Sequence, residues 1–322
     1  MDMLIKFIVA AILAGTPILF GILGETMNEK AGHLNLGVEG MMALGACGGF
    51  IAGYFSDSLI VAVLAAFLAG MLGALIYAFL TVTMMANQNV TGLTLTIFGI
   101  GLSNFMGDFV RSYAKTNLGT DSLKLPENIT AQLSNIDIPF LSDIPVLGDL
   151  VFSFNPYVYL GIIIAIILAI YYNLTKVGLS VRAIGENPAA ADAAGIKIVK
   201  LKYINILIGG GICGIGGSYC SMITNGGVWL PDSVNGMGWI AVALVIFSTW
   251  KPSKAIIGAF VFGAFSILKY YLPKSIISVP NAVYDMLPFI LTALILVITS
   301  IRQSKENAQP AACGLNYFRE ER

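Results

Sequence analysis

Charge is what this 322-residue chain has least of. Eighteen basic and eighteen acidic side chains make up 11% of it, where a soluble domain carries about 25%. That leaves too little polar surface to coat a water-soluble globule of this length, and a net charge of zero gives no reason to expect a polyanion partner. Histidine is almost missing. His33 is the single copy, so no Cys/His cluster with metal-ligand spacing exists and no histidine-based catalytic pairing is in view. Four cysteines do not form a disulfide framework. Cys213 and Cys220 would sit two turns, roughly 10 Å, apart on one helix, too far to bridge, and Cys47 and Cys313 are remote in sequence. No Gly-Lys pair occurs anywhere, which excludes the phosphate-binding loop G-x-x-x-x-G-K-[ST]. Gly209, Gly211 and Gly214 match G-x-G-x-x-G, but no strand precedes them. In an apolar helix, such glycines serve close helix packing.

What is present is hydrocarbon. Residues of the hydrophobic class make up 57% and the mean hydropathy is +0.82. A membrane helix needs about 20 apolar residues. Runs of that kind fall at 4–24, 36–55, 59–83, 89–107, 156–174, 203–223, 237–250, 255–272 and 282–301. The fold expected is all-α, a single polytopic membrane domain over 1–322 with about 8–10 transmembrane helices. The first run reads as a span rather than a cleaved signal, because no small-residue cleavage site follows it. The run from Gly238 is short, so a tilted, broken or fused helix is expected there.

Charge distribution orients the spans. Lys176, Arg182, Lys197, Lys200 and Lys202 cluster in one interruption, and short basic loops stay on the cytoplasmic side. Loop 175–202 is therefore placed inside, together with Lys251 and Lys254 and with the tail 302–322, which begins at Arg302 and Lys305. Segment 108–155 is acidic, with Asp108, Asp121, Glu127, Asp137, Asp143 and Asp149 against three basic residues. It is expected as an extracytoplasmic loop, broken by Pro126, Pro139, Pro145 and Pro156. It would serve either as a partner's docking face or as a passive lid.

The basic loop contains a helix with both ends marked. Asn187 before Pro188 is a cap followed by the residue suited to the first helical position. Ala189, Ala190, Ala191, Asp192, Ala193 and Ala194 favour helix, and Gly195 supplies a left-handed stop. A helix of two turns is unstable alone. It is expected either to dock into another protein's groove or to act as an ordinary interfacial connector.

These residues resemble a known signature. Ala190-Ala191 followed by Gly195 is similar to the A-A-x-x-x-G core of the cytoplasmic coupling loop of ATP-binding-cassette importer permeases. The run from Arg182 through Glu186 to Pro188 resembles the branched-chain amino acid, ribose and nucleoside group. "AGHLNLGVEGMMALGA", "LSDIPVLG" and "GMGWIAVALVIFSTWKP" resemble its nucleoside branch, linked to basic membrane proteins. One departure is Ser248, where the family more often has Gly, which puts the packing of that turn in question. The resemblance implies a permease subunit in the multi-pass cytoplasmic membrane of a bacterium, moving a solute inward by alternating access. It further implies three partners: a cytoplasmic ATPase that binds ATP and magnesium, a second and related permease subunit, and an extracytoplasmic substrate-binding lipoprotein. No cofactor in this chain, no enzymatic activity and no nucleic-acid partner are implied. Nucleosides are the expected cargo, with riboflavin or a sugar as the alternative. Within that frame Arg182, Glu186, Asn187, Ala190, Ala191 and Gly195 are expected to couple to the ATPase. Arg182 and Glu186 would hold the loop's shape or touch the partner.

For the solute pathway, Asn35 and Glu39 stand four residues apart, on one helical face. An intramembrane carboxylate is costly and faces a cavity or a partner. Glu39 either lines the path or pins a broken helix. Asn104 lies within an apolar span and would contact either solute or a neighbouring helix. Asn225, Trp229 and Trp239 cluster near the outer turn with Asp232, and tryptophans there are either interface anchors or stacking platforms for a base. Glu25, Glu29 and His33 sit near a membrane boundary and read as solvated or interfacial. Three rivals remain. A secondary transporter driven by an ion gradient would show inverted repeats, an intramembrane enzyme would need a placed nucleophile and base, and a channel would need a filter-like loop.

Overall fold

The computed structural model describes residues 2–120, 122–136, 148–271, scattered helical positions between 283 and 297, and 308–318. The expectations for Asp121, Asp137, Pro139, Asp143, Pro145, "LSDIPVL", Arg302 and Lys305 lie outside the described residues, as does much of the 282–301 run. The described chain is helical, with one isolated β-bridge, Lys124 to Val228.

In chain order the helices are α1 (Asp2–Lys30), α2 (Val38–Ser56), α3 (Leu59–Ala78), α4 (Gln88–Leu118), α5 (Glu127–Gln132), α6 (Pro156–Leu174), α7 (Lys176–Glu186), α8 (Pro188–Ala193), α9 (Ile198–Tyr219), α10 (Met237–Phe247) and α11 (Pro252–Tyr271). Short π-helical turns extend α3 through Phe79–Thr83 and α9 through Cys220–Thr224. Seven of these helices are long and apolar enough to cross a membrane, and α10 is the short apolar one. That agrees with the all-α polytopic reading.

Central to the bundle is α9, which packs against α1, α2 and α3 and is buried over most of its length. Its small residues make this possible. Gly214 lies between Gly45 of α2 and Gly70 of α3, where a Cβ on Gly45 would run into Gly214's own backbone. In lipid, where no hydrophobic force gathers helices, such close approach lets van der Waals contact hold them. Pro17 inside α1 cannot donate a hydrogen bond to the Leu13 carbonyl. The Tyr219 hydroxyl donates to that carbonyl instead, at 2.9 Å. A proline and a tyrosine 202 positions apart thus satisfy one backbone group in a place water does not reach.

The long helices run between two opposite ends. One end gathers residues 31–37, 84–88, 175–197 and 248–252, with the tail 308–318 lying across it. There the amide of Leu34 donates to the Gln88 side chain (2.9 Å), and that of Ala312 to the Gly185 carbonyl (2.8 Å). At the other end, the Leu125 amide donates to Gly227 O (2.8 Å) and the Trp229 amide to Leu123 O (3.0 Å). Asn128 donates to Asp57 at 3.1 Å. All the loops expected on the basic side share the first end, and the described part of the acidic segment sits at the second.

Three expectations change. The long acidic loop begins at Gly119, not at 108: nothing between 108 and 118 breaks a helix, and Gly119, with φ +67°, ends α4. Asn35 and Glu39 do not share a helical face, because α2 starts at Val38. The Asn35 side-chain oxygen accepts from the Gly37 amide (2.9 Å), forming a tight turn just before the helix. Finally, Glu25, Glu29 and His33 are buried rather than solvated. The tail covers them: Gln309 reaches Glu29, and Trp250 Nε1 donates to the same carboxylate at 2.5 Å. Burial pushes the His33 imidazole well below its ordinary pKa, and the nearby Lys202 charge pushes it the same way. Burial likewise raises the Cys313 thiol.

Candidate translocation and coupling sites

α10 enters the bundle part-way down. With eleven residues it spans about 16 Å, half of what a crossing needs. Its first turn lies against Glu39, near the start of α2, and not at the level of the α2–α3 turn. Residues 225–236 must therefore descend into the bundle before the helix begins. Such non-helical backbone at membrane depth is tolerated only where protein or a cavity encloses it, and here two side chains hold it. Glu39 Oε1 accepts from the Gly236 amide (2.7 Å) and Oε2 from the Gly238 amide (2.6 Å). A carboxylate thus satisfies the otherwise unpaired amides at the α10 N-terminus and opposes that helix's positive dipole end. Asn104 of α4 forms a reciprocal pair with Asp232, its Nδ2 donating to Oδ1 (2.9 Å) and its Oδ1 accepting from the Asp232 amide (3.0 Å). Asp232 and Asn235 adopt φ of 53° and 50°, left-handed values that Asp and Asn tolerate better than most residues.

A cavity of about 380 Å³ opens beside this support, lined by Glu39, Ser103, Asn104, Asp232, Asn235 and Trp239 among others. A second space of about 300 Å³ continues past Trp239 and is walled by Ile240, Ala243, Phe262 and Phe289. Trp239, Asn235 and Gly236 belong to both. One side is polar, the other apolar, with an indole between.

Of the six residues expected on the solute path, the structure brings Glu39, Asn104 and Trp239 together. Asn35 lies outside the cavity lining, its amide donating to Glu25 at 2.8 Å and its Nδ2 to Met41 Sδ at 3.4 Å. Trp229 is core: it packs against Phe50, with ring centroids 5.5 Å apart, and over Gly107, where a Cβ would strike the indole. Asn225 ends the π-turn after α9. Among the polar and turn-forming lining residues, Ser103, Ser233, Asn235 and Gly236 were not singled out from sequence. The run "PDSVNGMG" was the available signal, since Asp, Asn and Gly in an apolar neighbourhood mark a chain reversal.

At the opposite, basic end stands α8. Asn187 Oδ1 accepts from the Ala190 amide (3.0 Å), and Pro188 fills the first helical position. The amides of Gly195 and Ile196 return to the carbonyls of Asp192 and Ala191 (2.9 and 3.1 Å), the paired C-terminal closure that a left-handed glycine permits. Gly195 has φ +79° and nothing within 4 Å of where a Cβ would stand. Ala191 is buried against Ile184 and Ile198, so the helix is tethered despite its short length, and the Tyr317 hydroxyl donates to Asp192 at 3.1 Å. Arg182, Glu186, Asn187 and Ala190 are exposed, as are Ala189, Ala193, Ala194 and Gly195. The result is a capped, small-residue knob flanked by one cation and one anion. Ser248 fits its turn with an ordinary φ of −72°, its hydroxyl donating to Val245 O at 2.8 Å. The left-handed positions of that turn fall on Thr249 and Trp250 instead.

Comparisons with known proteins follow the same outline. A family model described as the permease component of branched-chain amino acid transport systems matches residues 7–297. The guanosine ABC transporter permease NupQ of Bacillus subtilis is 34% identical over 89% of both chains. The nucleoside ABC transporter permease NupC of Lactococcus lactis is 28% identical over 98% of both. A protein of Haloferax volcanii, provisionally named as the glucose ABC transporter permease TsgC13, is 31% identical over 97% of both.

Proposed function

The chain belongs to the branched-chain amino acid transport system permease family, as a multi-pass permease subunit of an ATP-binding-cassette importer in a cell membrane, and from that premise we propose that its solute is a nucleoside. One observation carries the choice: Trp239 stands between a polar space and an apolar one. A nucleoside has the same two halves, a ribose whose hydroxyls suit Asn104, Asp232 and Ser103, and a flat base that stacks on an indole. The guanosine and nucleoside permeases among its relatives support this reading. A hexose is the second reading, favoured by the glucose permease relative; it would use the polar half alone.

In the proposed cycle this chain hydrolyses nothing. A separate ATPase subunit binds ATP and magnesium, and a second permease subunit closes the open side of the cavity. A substrate-binding lipoprotein delivers solute at the end formed by 57–59, 122–136 and 225–235. ATP binding in the partner moves α8 as a rigid body, and the tether at Ala191 passes the motion to α7 and α9. Glu39 positions the α10 half-helix, so its carboxylate acts on the solute through that helix's placement.

The test is uptake by liposomes holding the full transporter and its binding protein, with labelled guanosine or glucose. Guanosine uptake that requires ATP and is weakened by Trp239→Ala, chiefly in KM, supports the assignment. Glucose uptake without guanosine uptake overturns it, and uptake sustained by an ion gradient without ATP overturns the importer mechanism.

A further inference from the structure

We propose that the cavity beside the coupling helix binds a phosphate-bearing anion, with Lys202 as its buried cation. This space, about 610 Å³, lies between the π-turn that ends α3, the turn joining α8 to α9, and the tail. Lys202 lines it and is 6% exposed. No hydrogen bond or ion pair reaches this lysine from any described residue. A buried ammonium without a counter-charge is among the costliest arrangements a fold can hold, which argues that something outside the described residues neutralises it. Two titratable neighbours act on it or feel its charge, and neither brings a negative one: His33 is buried and neutral, with both ring nitrogens unpartnered, and burial raises the Cys313 thiol so that it stays protonated.

Everything else on the cavity wall fits an anion. Lys197 and Lys200 line the same space. α9 begins here with no side chain capping its first amides, adding the partial positive charge of a helix N-terminus. Asp192 is the one carboxylate in the lining, and the Tyr317 hydroxyl engages it. Thr81 and Asn316 also line it, their side chains donating to the carbonyls of Tyr77 and Met85; the rest of the wall is apolar, chiefly Val82, Met85 and Ile196, and reaches the outward-facing Val199. A phosphate group with an attached apolar part matches this lining. Two sources carry that chemistry: the headgroup of an anionic phospholipid at the cytoplasmic interface, or a soluble phosphate compound. Either would bridge α3, the knob and the tail.

The experiment is thermal unfolding of the whole detergent-solubilised transporter, titrated separately with dioctanoyl-phosphatidylglycerol, dioctanoyl-phosphatidylcholine and inorganic phosphate. A saturable rise in Tm with phosphatidylglycerol, absent with the zwitterionic lipid, is the expected result. A matching rise with inorganic phosphate assigns a soluble source; its lack assigns the lipid. Lys202→Met should raise the half-saturating concentration at least tenfold. Val199→Glu, at an exposed position on the rim, should raise it about fivefold and serves if the first variant does not assemble. No response to either anion in the native protein overturns the proposal. So does a half-saturating concentration unchanged by Lys202→Met or, where that variant fails to assemble, by Val199→Glu.

Discussion

Replacement of Gly195 separates backbone strain from partner contact at the coupling knob. With φ at +79° and no atom within 4 Å of the place a Cβ would take, any residue fits sterically and only conformation is at issue. A valine there costs about 2 kcal/mol, the penalty of a β-branched residue held left-handed. That favours release of the closure to Asp192 and Ala191 by roughly thirtyfold. Because α8 is one short element, the loss is local and the bundle stays folded. Asn costs much less, since it tolerates this region, yet it still projects a side chain from the exposed knob. The assay is nucleoside delivered per ATP hydrolysed in liposomes. Gly195→Val should hydrolyse ATP with transport reduced at least tenfold. If Gly195→Asn matches it, contact with the ATPase is at fault; if Asn behaves as the native protein, the closure is. Normal uptake with normal substrate-stimulated hydrolysis in Gly195→Val would refute the lever.

Other outcomes follow from the same structure. Glu39→Ala leaves the amides of Gly236 and Gly238 unpaired and should cost about 2–4 kcal/mol, while Glu39→Gln, which keeps one acceptor, should cost less; thermal unfolding ranks them. Gly45→Val drives a side chain into the Gly214 backbone and should lower Tm and membrane yield sharply, whereas Gly101→Ala, with nothing within 4 Å, should be neutral. Trp229→Ala should destabilise by about 3–5 kcal/mol as a core truncation, in contrast to a KM effect at Trp239. His33 is held neutral when folded, its pKa lowered from 6.5 by burial and by Lys202. The unfolded chain therefore binds the extra proton: stability is fully present above about pH 6.5 and falls by about 1.4 kcal/mol per unit below it. Tm against pH for native protein and His33→Gln should diverge only on the acid side.

The charge pattern and the apolar runs placed the helices, because crossing a bilayer is a matter of local length and composition. The knob was equally legible: Asn187, Pro188 and Gly195 act through hydrogen bonds within a few residues. Such groups need no knowledge of the rest of the chain. Glu39 was readable only as a pair of alternatives, since an isolated carboxylate in an apolar run does not say what it faces.

Tertiary structure decided what depends on distant partners. Glu39 meets Gly236 across 197 positions and Gln309 meets Glu29 across 280, and neither spacing leaves a periodic trace. The same holds for Asn35, which the turn before α2 removes from the expected face, and for Trp229, which Gly107 admits into the core. Sequence determined which segments lie in the membrane, for that follows from transfer out of water residue by residue. Only packing determined which polar side chains share one cavity, because that depends on where α2, α4 and the start of α10 come to rest against each other.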